Sequence, residues 1–269
     1  MGVGAAATPT VNVNVGNYVG INNAGHASVM QTNNVDVRMG LGSANVATVN
    51  GFSGKNIGTT YLDQDNVVYG KIGTGKLAID TQNGAELKNG FWASVDQGNK
   101  VSGYAVKGDT TFEKVNYADV ANVWCVGIVQ KNIDVIDPEG KIKVEDYNSA
   151  SIKNAFYANV DQSNQVTIGT QGPKTNMLAS NYLETKNVFA TTAVQKNTAN
   201  IFFKGTAKVE MYNQHDATKG CFADTTQYSG LTATMKGTNP VLNVEGYNSF
   251  NPKKIWIVNA DQDFKVVVR

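Results

Sequence analysis

Seven residues, Gly70-Lys-Ile-Gly-Thr-Gly-Lys76, have the Gly-x4-Gly-Lys spacing of a loop that cradles phosphate. In such a loop backbone N–H groups and a lysine hold a nucleotide, and the β-like run 66–69 stands in the right place before it. Leu77 occupies the position where a Ser or Thr hydroxyl would bind magnesium. The residues that follow, 77–84, read as a strand entering a turn, with no helix N-terminus to hold phosphate. A glycine-rich turn is the expectation, and nucleotide hydrolysis survives only as an outlier.

Other chemistry-bearing residues are sparse. Asp63 and Asp65, and again Asp261 and Asp263, could offer oxygen ligands to a hard cation, but neither pair carries the later bidentate Glu or the Gly of a calcium loop. Turn capping is the expected role, with a weak calcium site as the alternative. His26 and His215 lack a spaced partner, and neither Gly-x-Ser-x-Gly nor His-Glu-x-x-His occurs. Cys125 lies in an apolar run and Cys221 follows Gly220 in a turn; two cysteines make neither a metal cage nor a disulfide framework. Their spacing neither argues for a bridge nor forbids one. Phe91-Trp92, Phe156-Tyr157 and Trp256 could form stacking platforms for sugars or bases. Neighbours on a strand face opposite ways, so one of each pair is expected in the core. Arg38 and Arg269 are the only arginines, which removes the nucleic-acid version. No catalytic residue, cofactor or metal ligand is therefore assigned.

The elements that position these residues read as strands. In 269 residues there are 33 Val, 24 Thr and 32 Asn against 8 Leu, so β-branched and turn-forming types dominate. A net charge of +1 and 17% charged residues give no field for steering onto a polyanion. No run of apolar residues is long enough for a transmembrane helix. The first residues lack the basic and apolar regions of a signal peptide, so export is not expected.

An internal repeat is the strongest signal. Residues 87–101 and 152–166 match at nine of fifteen positions with an offset of 65, and shorter forms recur at 62–68 and 260–266. The unit, apolar-Asp-Gln-x-Asn-x-Val, reads as a strand ending in an Asx-type turn. Offsets of 33, 65 and 100 between successive copies look irregular, which favours two related small β-modules over a solenoid. The expected organisation is an extended Gly/Asn-rich N-terminal arm (1–50), ordered only on a partner surface, then β-barrel or β-sandwich module 1 (51–148) and module 2 (149–269). A hairpin is expected over 133–144, where Pro138 and Gly140 suit a tight turn. Short helical turns are the most that 117–122 and 175–183 could form.

Gly90-Phe-Trp-Ala-Ser-Val-Asp-Gln-x-Asn-x-Val, followed by Val123-Trp-Cys-Val-Gly-Ile-Val129, resembles the small β-barrel modules of tailed-bacteriophage head decoration proteins. The resemblance covers roughly residues 85–130 and, more weakly, 150–210; the arm and the last hundred residues depart from it. It implies a non-enzymatic virion protein, assembled in the host cytoplasm, that binds the major capsid protein or other virion subunits and self-associates. Neither nucleic acid nor membrane is an expected partner. The alternatives are a tail tube or receptor-binding fibre component touching a host glycan, and a prokaryotic surface filament subunit.

Overall fold

The computed structural model describes residues 8–169 and 172–269. Six strand elements follow one another in a single sheet in chain order: β1 (Thr10–Lys107), β2 (Thr110–Ile136), β3 (Ile142–Gly169), β4 (Lys174–Phe203), β5 (Thr206–Met235) and β6 (Val241–Val268). Every neighbouring pair is parallel, in a register that advances 33 residues from β1 to β2 (Leu77↔Thr110) and 35 from β5 to β6 (Thr206↔Val241). The chain is thus a β-solenoid. β2 to β6, of 27 to 30 residues, are one coil each, whereas β1, at 98 residues, holds three.

This overturns the expected fold class. The class all-β is right, but two barrel or sandwich modules behind a free arm are replaced by one continuous parallel sheet that begins at Thr10. The offsets of 33, 65 and 100 are one, two and three coils of about 33 residues; copies such as Val129-Gln-Lys-Asn132 and Val194-Gln-Lys-Asn197 fill the gaps with the leading Asp replaced. The expected hairpin is likewise a corner: Ile136 pairs with Ile168 one coil on, and Ile142 with Thr110 one coil back. Residues 117–122 and 175–183 are strand.

Each coil is flattened into two lobes. One apolar core gathers Val68, Ile72, Leu77, Ile79 and their equivalents; the other gathers Phe52, Ile57, Leu62 and theirs. Burial of alternate residues on both walls explains the Val/Ile/Thr excess, because β-branched side chains suit a pleated, half-buried surface. The waist between the lobes is closed by asparagine. From Asn17 through Asn33, Asn50 and Asn66 to Asn213, an Asn recurs every 16 or 17 residues, and each donates across the interior to the next, as Asn33 does to Asn50 at 2.9 Å. The same amide also donates one full coil upward, as Asn50 does to Asn83 at 3.0 Å. A parallel glutamine row, Gln31 to Gln262, hydrogen-bonds in the opposite sense, each side chain donating one coil downward. Buried amides cost free energy unless satisfied, and here each finds its partner in its own copy.

The lobes close at two corners. At one, Gly42, Gly75 and Gly108 have φ of +126°, +138° and +154°. A Cβ on Gly75 would lie 1.6 Å from the Gly42 carbonyl oxygen, so the corner accepts only glycine.

Candidate functional site

The opposite corner carries an extended surface groove. Asn23, Asn56, Asn89, Asn122, Asn154 and Asn187 take φ of 55–60° there, a left-handed conformation that Asn tolerates better than other non-glycine residues. Their side chains form an outer ladder, Asn89 to Asn56 and Asn122 to Asn89 each at 2.9 Å. Two residues later comes an aromatic row, Phe91, Trp124, Phe156 and Phe189. Adjacent rings are nearly parallel, with centroids 6.5, 4.7 and 4.8 Å apart. The coil repeat of roughly 4.8 Å is close to the stacking distance of two rings, so one aromatic per coil makes a stack without further adjustment.

Between the amide ladder and the ring edges runs a groove of about 1060 Å³, lined over most of its length by apolar atoms and ended by Lys219, Gly220 and Cys221. The inner rings spend their faces on one another and offer edges to the groove. Its shape suits an extended apolar group lying along the solenoid axis. The lining holds no carboxylate or histidine beside Lys219 and Cys221.

The expected alternation at the aromatic pairs fails. Phe91, Trp92, Phe156 and Tyr157 are all exposed, because the corner Asn turns the chain and interrupts the in–out pattern until Ala93 and Ala158. Trp256 continues the row on β6, with 86% of its surface exposed, beyond the gap that Cys221 leaves. The spacings of 33, 32 and 33 between Phe91, Trp124, Phe156 and Phe189 were the signal for the stack. In the sequence Trp124 lies within the Val123–Val129 run, and Phe189 lies in no motif.

The remaining candidates disperse. The stretch 70–76 lies in the strand and at the glycine corner, with no helix after it. Cys125 and Cys221 are both free and stand three coils apart, roughly 14 Å of sheet, beyond the reach of a disulfide. Among the described residues no three His, Cys, Asp or Glu side chains group as metal ligands; Asp63 and Asp65 stand on β1 and Asp261 and Asp263 on β6. Burial pushes Asp65 and Asp96 above the usual carboxylate range, and nearby aspartates add to it. His26 packs against Tyr61. No helix among the described residues is long and apolar enough to cross a membrane.

Two ionisable side chains are buried where the sequence alone gave no sign of burial. His215 takes a core position between Thr185 and Thr225, 3.1 and 2.7 Å from its ring nitrogens, and burial lowers its pKa to about 4. Lys114, fully buried, is ion-paired with Asp134 and Asp146. Burial, and then the neighbouring Asp134, hold Asp146 well above the usual carboxylate range. Both side chains are fully buried among core residues. No family model, curated protein or solved structure matches the chain, so its function is read from this geometry.

Proposed function

We propose that the protein is a non-enzymatic structural subunit of an extended fibrous assembly. The observation that carries this is the open end of the solenoid. β6 pairs with β5 alone, and its core-type residues Val258, Val266 and Val268 stay exposed where the same positions of β5 are buried. A parallel strand with one unpaired edge is a template for further pairing. Natural monomers cover such an edge with a helix or loop, and among the described residues none covers β6.

The tail-fibre and surface-filament alternatives gain from this end. A head decoration role gains less, because the arm that would thread along neighbouring capsid subunits is, from Thr10 onward, part of the sheet. Contact with a host glycan through aromatic faces draws little support, since the inner rings cover one another. Static light scattering on a sizing column, with negative-stain images of the same peak, tests the proposal. Straight filaments or end-to-end stacks whose mass grows with concentration are expected. A monomer persisting at every concentration and pH would overturn it.

A further inference from the structure

Resting on the reading above, we infer that the partner at the open end is a second copy of this chain, its first coil laid parallel and in register on β6. Core positions of β6 and of the first coil differ by a constant 231 (248 less 17) along their whole length. Leu242 falls on Val11, Val244 on Val13, Val266 on Val35 and Val268 on Val37. A slip of one residue would turn every one of these side chains to the wrong face. Glu245, Asp261, Asp263 and Lys265 meet the uncharged Asn14, Met30, Thr32 and Asn34, and the one like-charge pair is Arg269 on Arg38, whose guanidinium is already paired with Asp36. Phe264 on Asn33 is the one core pairing of unlike character, and Pro252 withholds one backbone donor.

The polarity of the amide ladders fixes which ends meet. Along the row from Asn17 to Asn248 each waist Asn donates one coil upward, so Asn248 at the top has no Asn above it to receive its bond, and the Asn17 oxygen at the bottom accepts none from the described residues. The glutamines run the other way. Gln262 donates down to Gln227 and its oxygen accepts nothing, while Gln31 donates to the Gly51 carbonyl and has a second N–H to give. Head-to-tail stacking therefore supplies Asn248 to Asn17 and Gln31 to Gln262, both with donor facing acceptor. Tail-to-tail contact would set acceptor against acceptor along the glutamine row. A head-to-tail joint is heterologous and, with no rotation that closes it, propagates into a polar filament.

The test uses the full chain with Cys125→Ser and Cys221→Ser, adding Met30→Cys and Asp261→Cys on exposed columns that the joint brings opposite each other. In-register Cα atoms on adjacent strands lie about 4.8 Å apart, within disulfide range. Mild oxidation should give a non-reducing gel ladder at multiples of 28.8 kDa, and neither single-cysteine variant should dimerise. Filaments that yield dimers from one cysteine alone, or no covalent species from the pair, would refute this joint while leaving the fibrous reading intact. Absence of any assembly would remove both.

Discussion

Replacing Asn116 by alanine tests whether the asparagine waist holds the two lobes together. The side chain is fully buried. Its amide donates to Lys131 O at 3.2 Å, Asn132 Oδ1 at 3.1 Å and Asn148 Oδ1 at 2.9 Å, and its oxygen accepts from Asn83 at 3.0 Å and Asn99 at 2.9 Å. Two N–H groups and two accepted bonds at about 1 kcal/mol each give a loss of about 4 kcal/mol. Neighbouring asparagines keep one partner each, but the Lys131 carbonyl loses its amide donor. Asn17, at the end of the same ladder, is half-exposed and accepts nothing, so Asn17→Ala should cost about 1 kcal/mol, water replacing what is lost. At about 2 °C per kcal/mol for a chain of this size, Asn116→Ala should lower Tm by about 8 °C and Asn17→Ala by about 2 °C. Calorimetry on dilute protein reads both. Losses equal within about 1 kcal/mol would mean that the apolar lobes alone carry the coil.

Three further outcomes follow from the core and the corners. His215 stays neutral when folded, its pKa lowered to about 4 by burial; because the unfolded chain takes the proton first, stability is whole above pH 6.5 and falls by about 3 kcal/mol as pH drops through about 4. His215→Leu should flatten that slope in urea titrations from pH 7 to 4; an unchanged slope refutes the assignment. Lys114→Met strands two buried aspartates and should cost about 3–5 kcal/mol, whereas adding Asp134→Val and Asp146→Ala should recover most of it. A triple variant less stable than the single one would show that the ion cluster is itself stabilising. Gly75→Ala should be severely destabilising, while Gly40→Ala, whose Cβ would meet nothing within 4 Å, should leave Tm almost unchanged.

Strand content was legible because composition reports it directly: Val, Ile and Thr for the walls, Asn and Gly for the turns. The direction of pairing was not. Pro138 and Gly140 suit a hairpin and a solenoid corner equally, since both reverse the chain locally and only the distant partner distinguishes them. The period was present in the spacings of Asp63, Asp96, Asp161 and Asp261, yet it was disguised. The Asp is free to vary, and Val129, Val194 and Thr226 replace it, whereas the Gln after it recurs in every coil from Gln31 to Gln262 and is buried as far as Gln227. Following the buried amides would have given the coil; following the acids did not. The burial of His215 and Lys114 was invisible for a related reason: His215 sits between Leu183 and Phe250 and Lys114 between Thr81 and Asp146 in columns that exist only once the coils are stacked.

The coil length has a consequence for how such a chain can change size. Corners absorb repeats of 32, 33 or 35 residues without disturbing either wall, and each coil touches only the ones above and below it. Removing or duplicating one whole coil leaves every remaining side chain on its own face, while removing one residue from a wall does not. The height of the molecule is thus a whole number of steps of roughly 4.8 Å, and a gene for it can lengthen or shorten its product in fixed increments, as links are added to a chain.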